Sequence, residues 1–151
     1  MPPKDGKPKE KKPIAIPRPS ASVVLINPQN HILLLQRVKQ SSTFASAHVF
    51  PGGNVSEQHD HIGINRMPPP DSAERHRDSE VYRMAAVRET FEESGIILAN
   101  GENGRLLEVE ESEREKGRQD VHASKVKFGD WLEGKGGKAD TGMRSPSPRD
   151  L

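Results

Sequence analysis

No cysteine occurs anywhere in the 151 residues. Its absence excludes disulfides, thiolate metal ligands and a cysteine nucleophile, and it accords with a reducing compartment. Apolar residues are also scarce. The hydrophobic fraction is 31% and mean hydropathy is -0.82, so a modest folded core with polar extensions is expected rather than a domain compact from end to end. No apolar run approaches the roughly 18 residues that a membrane-crossing helix requires. A large charge of one sign is missing as well: 30% of residues are charged, yet the formal net charge is +1. Bulk electrostatics therefore argues against a nucleic-acid partner.

Both ends read as tails. Residues 1–20, MPPKDGKPKEKKPIAIPRPS, repeat proline too often to form a helix, and a disordered basic extension is expected there. This segment lacks the apolar stretch of a secretory signal and the Arg-rich amphipathic pattern of a mitochondrial presequence. The chain does not end in the serine-lysine-leucine peroxisomal address. An intracellular location is expected, with cytoplasm, mitochondrion and peroxisome not distinguished. From Gly134 the sequence GKGGKADTGMRSPSPRDL has no periodicity, so a second disordered tail is expected over 134–151. One domain is expected between them, over 21–133.

Inside that domain, SVVLI (22–26) and HILLLQRV (31–38) are β-branched and leucine-rich runs separated by NPQN. They predict two hairpin strands joined by a turn. AHVF (47–50) predicts a third strand, ended by PGG at 51–53. Residues 54–79, polar and interrupted by PPP at 68–70, predict a long insertion loop. A helix is expected from about Ser79 or Glu80 to Ser94, with Asp78 or Ser79 as N-cap and Gly95 as the left-handed closing residue. IILA (96–99) predicts a strand and NGENG (100–104) a turn. Val121, Phe128 and Leu132 have the spacing of a further short helix.

The stretch AAVRETFEESGI at 85–96 holds the chemistry. At about 100° per residue, Met84, Val87 and Phe91 share one side of the helix. Glu89, Glu92 and Glu93 share the opposite side, with Ala85 and Ala86 one turn earlier on that flank. Like charges at these spacings repel, and Arg88 alone cannot balance three carboxylates. A divalent ion can: oxygen-only ligands suit magnesium or manganese, which activate water and screen charge on a phosphoryl group. The plainer alternative is a solvated acidic face, the ordinary meaning of an isolated ExxEE.

The company of those residues is more specific. The sequence resembles the Nudix hydrolases, whose box reads G-x5-E-x7-R-E-U-x-E-E-x-G-U, with U apolar. Gly53, Glu80, Arg88, Glu89, Glu92, Glu93, Gly95 and Ile96 fit the box, with two departures. Thr90 stands at a U position, and twenty-six residues, 54–79, separate Gly53 from Glu80. A similar insertion after FPGG occurs in a eukaryotic subgroup resembling the coenzyme A and acyl-coenzyme A diphosphatases. The resemblance implies an α/β (α+β) fold, a mixed sheet with the Nudix helix packed on it. It implies that Glu89, Glu92 and Glu93, with the backbone carbonyl of Gly52, hold Mg2+ or Mn2+. Arg88 would orient a carboxylate, Glu80 would assist at the helix entrance, and Glu92 and Glu93 would serve catalysis. The implied reaction cleaves the pyrophosphate of a nucleoside diphosphate linked to another group, a small-molecule substrate.

A complete domain of that family continues with further strands and a terminal helix, and little after Leu132 is expected to supply them. A fold shortened at its C-terminal end is therefore expected, and with it the alternative of an inactive binding or regulatory module. Three other features have bland readings. HDH (59–61) reads as a solvated loop rather than a zinc site, Phe128 and Trp131 read as core rather than a base-stacking platform, and His48 reads as a strand histidine.

Overall fold

The turn at 27–30 forms as its residues dictate. Asn27 folds its side chain back over the backbone, and its Oδ1 accepts from the N–H groups of Gln29 (3.0 Å) and His31 (2.8 Å). Asn30 takes the left-handed conformation, φ 61°, which asparagine tolerates better than most residues. This arrangement belongs to a computed structural model that describes residues 16–40, 45–60 and 67–142.

The hairpin is joined at intervals rather than along two unbroken strands. An Ile26–Ile32 bridge and a bond from the Leu33 N–H to the Leu25 carbonyl connect its arms. The regular strands are short: β1 (Ser20–Ser22), β2 (Leu35–Gln36), β3 (His48–Val49) and β4 (Gly52–Asn54). They pair antiparallel as β1–β4 and β2–β3. His48 is thus an exposed strand residue, as expected. The glycines of PGG, expected to end pairing, lie within β4 opposite Ser22 and Ala21. The backbones approach closely here. Gly52 has φ 151°, and a Cβ on it would sit 2.6 Å from the Ser22 Cα, so only glycine fits.

After β4 the insertion runs through His59 and Asp60, and beyond the prolines it forms a 3₁₀ turn at Ala73–His76. Residues 61–66 of the insertion, including His61, lie outside the described residues. Helix α1 (Glu80–Ser94) follows. Ser79 occupies the N-cap position without a side-chain capping bond, and Asp78 before it pairs with Arg83 at 2.6 Å. Gly95 closes the helix with φ 74°, donating its N–H to the Phe91 carbonyl.

Met84, Val87 and Phe91 enter the core as their spacing predicts. Ala85 and Ala86, placed by the sequence on the acidic flank, are buried too, because β1 and β4 cover one side of α1 while α2 packs elsewhere on it. Thr90 is fully buried, and its hydroxyl donates to the Ala86 carbonyl at 2.7 Å. That back-bond lets a hydroxyl occupy an apolar position without an unsatisfied donor.

The second half departs most from expectation. Strand β5 (Ala99–Gly101) begins where a strand was expected to end, and the single expected helix is two: α2 (Glu111–His122) and α3 (Phe128–Glu133). The presumed tail after Gly134 instead supplies β6 (Gly137–Ala139), antiparallel to β5. Glycine-rich sequence carries no hydrophobic periodicity, yet small residues are what this strand needs. A Cβ on Gly137 would sit 3.2 Å or closer to Leu107 side-chain carbons. The expected tail regions 1–15 and 143–151 lie outside the described residues.

The core sits between α1 and this second half. Phe91 stacks on Trp131 with ring centroids 4.6 Å apart and meets Phe128 at 5.6 Å. Val87, Val121 and Leu132 complete the packing, with Ala99 and Ala139 from the β5–β6 pair. Phe128 and Trp131 are thus core residues, as read from the sequence. Among the described residues no helix is long and apolar enough to cross a membrane.

Candidate metal and phosphate site

The last two turns of α1 present Glu89, Glu92 and Glu93 to one pocket of about 400 Å³. Its other walls come from the β2 region, with Leu35 and Arg37, and from α2, with Arg118 and His122. Three of the residues singled out in the sequence therefore meet on one surface. Each carboxylate also has a protein partner. Glu92 Oε1 accepts from Arg88 Nη1 at 2.6 Å, and its Oε2 lies 3.0 Å from His122 Nδ1. Glu89 pairs with the same Arg88 nitrogen at 3.0 Å. Glu93 Oε2 accepts the Gly52 N–H at 3.0 Å, which brings β4 against the acidic edge.

Burial pushes the Glu89 carboxyl above its usual range; Arg88 opposes this, while Glu92 and Glu93 add to it. Gly53 makes room for this side chain, since a Cβ there would come 2.6 Å from both Glu89 carboxylate oxygens. Among the described residues no three histidine, aspartate or glutamate side chains are grouped as a ready metal-holding set. The donor chemistry is nonetheless all oxygen and faces one pocket, as a hard divalent ion requires.

Arg88 is the hub. Its guanidinium reaches Glu92 and Glu89 on one side, and Asp60 and the Asn54 carbonyl on the other. Burial alone pulls its pKa down, but Asp60, then Glu92 and Glu89, more than compensate, and the net direction is upward.

Asp60 is the buried partner of Arg88 that the sequence reading missed. HDH was taken as a solvated loop, whereas His59 and Asp60 are both buried. A signal was present: six residues, 54–59, separate Gly53 from Asp60, against five in the general box and twenty-six before Glu80. His59 is fixed as well. Its Nδ1 accepts the Phe128 N–H at 3.3 Å, which leaves Nε2 to donate to Ser124 Oγ at 3.3 Å. Burial, then the positive charge of Arg88, pushes the His59 pKa down.

Glu80 does not line this pocket. It stands exposed at the first position of α1, nine residues before Glu89 and so about 13 Å away along the axis. Gly95 and Ile96, the last positions of the box, close the helix and lead into β5. The site therefore gathers Gly52, Gly53, Arg88, Glu89, Glu92 and Glu93, adds Asp60, Arg118 and His122, and leaves Glu80 apart.

Comparison with known proteins agrees with this geometry. The NUDIX domain profile matches residues 16–142. A curated protein, acyl-coenzyme A diphosphatase NUDT19 of Xenopus laevis, is 30% identical over 56% of this chain and 31% of its own length. The chain thus spans about a third of that relative. The crystal structure of a NUDIX hydrolase from Alicyclobacillus acidocaldarius superposes with a TM-score of 0.58 at 18% identity, covering 82% of this chain and 57% of that one. That likeness bears on the fold alone. With the profile spanning most of the chain and its acidic helix edge facing one pocket, the protein belongs to the NUDIX family and has the α/β fold of its members.

Proposed function

We propose that the chain is a metal-dependent hydrolase cleaving the pyrophosphate of a nucleoside diphosphate linked to another group, with coenzyme A or an acyl-coenzyme A as the favoured substrate. The observation that carries this reading is the convergence of Glu89, Glu92 and Glu93 on one pocket, braced by the buried Arg88. The family's general use of Mg2+ or Mn2+ supports the metal dependence. The substrate class rests on the relative whose name describes an acyl-coenzyme A diphosphatase, together with the insertion after FPGG.

In this reading Glu89, Glu92 and Glu93 hold the ion, with the Gly52 carbonyl as a further oxygen donor. The ion, once bound, neutralises phosphoryl charge and lowers the pKa of an attacking water. The rest is done by the chain itself. Arg88 sets the rotamers of Glu89 and Glu92 through charge-assisted hydrogen bonds, and Asp60 holds Arg88 in place for that task. The raised affinity of Glu89 for a proton marks an anion that gains from a nearby cation.

The test is magnesium-dependent release of a nucleoside monophosphate product from a panel of pyrophosphate compounds, coenzyme A among them, with Glu92→Gln as control. Turnover in the parent and its loss in the variant support the hydrolase. A second reading, a binding or regulatory module, is favoured by one observation: every carboxylate is already held by a protein donor. Binding of the same compounds without turnover supports the module instead.

A further inference from the structure

The carboxylate pocket has two polarities, and this constrains what can enter it. On the α1 side stand Glu89, Glu92 and Glu93. Lining the same pocket are Arg37 near β2, and Arg118 and His122 on α2, the last two in direct contact with Glu92. Asp60 and Arg88 cancel each other as a buried pair. Three ionised glutamates with one divalent ion leave a net charge of about −1, and a pyrophosphate diester adds about two more negative charges. A phosphate held only by the metal therefore faces net repulsion from the helix edge. A cation lining the same pocket offsets it.

Arg118 has the geometry for that role. Its Nη1 donates to the Glu92 main-chain carbonyl at 2.8 Å, which pins the guanidinium beside the metal helix. Its Nε and Nη2 form a two-pronged contact with Glu115, at 2.8 and 2.7 Å. That fork is the arrangement in which arginine binds a phosphate, because carboxylate and phosphate oxygens match it equally. Arg118 and Glu115 are both partly exposed, with side-chain exposures of 33% and 47%. An ion pair so exposed is weak, so a dianion can displace it.

We propose that Arg118 is a substrate-binding residue that takes a phosphoryl oxygen at the edge of the carboxylate pocket, and that Glu115 is the exchangeable counter-ion holding its guanidinium in readiness. His122, bonded to Glu92 Oε2, flanks the same opening. The role deepens the hydrolase reading and rests on it for the identity of the phosphate, but the binding step is measurable apart from turnover. A purely structural Arg118, tying α2 to the end of α1, predicts pyrophosphate binding indifferent to its loss in a variant that stays folded.

The experiment is calorimetric titration of the full chain with inorganic pyrophosphate, with and without Mn2+, alongside Mn2+ titration alone. Arg118→Gln is expected to weaken pyrophosphate binding by about tenfold or more, the scale of a lost charge-assisted contact, with Mn2+ affinity unchanged. Arg118→Lys, which keeps charge but not the fork, falls between parent and Gln variant, and thermal melting shows that it is folded. Glu115→Gln is expected to tighten pyrophosphate binding in the parent but not in an Arg118→Gln background, an outcome that general charge relief does not give.

The proposal is overturned if Arg118→Gln binds as the parent does, if Glu115→Gln fails to tighten, or if the parent binds no pyrophosphate. Arg118-dependent binding in a parent that takes up no Mn2+ upholds the proposal and removes the metal-dependent hydrolase. Mn2+ uptake with pyrophosphate binding indifferent to Arg118 does the reverse.

Discussion

Asp60 closes on Arg88 with two hydrogen bonds, 2.8 Å to Nε and 3.0 Å to Nη2, between side chains only 0% and 4% exposed. The same carboxylate accepts the Ser56 N–H at 2.7 Å. The insertion loop and the acidic helix are therefore joined through one buried ion pair. Removing Asp60 leaves Arg88 its contacts to Glu92, Glu89 and the Asn54 carbonyl but takes the acceptor from two of its buried donor groups. Asp60→Ala is expected to cost about 3–5 kcal/mol, read by urea denaturation, and to weaken Mn2+ uptake because Arg88 loses its anchor. Glu80→Gln, at an exposed helix start, is expected to cost about 1 kcal/mol or less. A larger loss at Glu80 than at Asp60 reverses the assignment made here.

Neighbouring glycines separate fold from site. An alanine at Gly52 strikes the backbone of β1, which cannot step aside, and it must also adopt φ 151°. Gly52→Ala is expected to destabilise the chain by about 1–3 kcal/mol. At Gly53 the obstruction is the Glu89 carboxylate, the end of a side chain that can swing away. Gly53→Ala is expected to melt close to the parent while losing Mn2+ affinity. Equal melting temperatures for both variants contradict this division.

The legible parts of the sequence were those governed by local physics. The helix at 80–94 is set by its hydrophobic spacing and by Gly95, and the turn at 27–30 by Asn27 and its neighbours. Glu89, Glu92, Glu93 and Arg88 were legible because one helix edge brings them together without any distant contact. What stayed hidden depends on partners remote in sequence. Asp60 reads as loop until Arg88, twenty-eight residues on, is seen beside it. Arg118 and His122 lie in charged sequence that resembles any solvated helix, and only packing of α2 on α1 turns them toward the glutamates. Gly137 and Ala139 resembled a tail because a strand built of small residues has no apolar alternation to detect.

His59 makes stability depend on pH with a definite sign. Its Nδ1 must stay unprotonated to accept the Phe128 N–H. Burial and Arg88, with Lys127 in the same sense, push its pKa down against the opposing Glu92 and Asp60. Below its ordinary value of 6.5 the unfolded chain binds a proton that the folded chain refuses. The contribution is thus complete above that value and lost as pH falls through the lower folded pKa. The urea midpoint is expected to drop between about pH 7.5 and pH 5.5, and the drop is expected to shrink in His59→Gln, whose side chain does not titrate. An undiminished drop in that variant assigns the dependence to other groups.

Strand β6 offers the sharpest test of the second half, because adjacent residues there face opposite environments. Ala139 is 8% exposed and packs in the core, whereas Lys138 is exposed. An aspartate at Ala139 must enter the core beside Ala99, its register partner. Ala139→Asp is expected to cost about 2 kcal/mol or more, and Lys138→Asp to stay within about 0.5 kcal/mol of the parent. The two substitutions introduce the same side chain one residue apart, so composition cannot account for a difference between them. If both are silent in thermal and urea unfolding, residues 137–139 do not pair with β5, and the core closes without them.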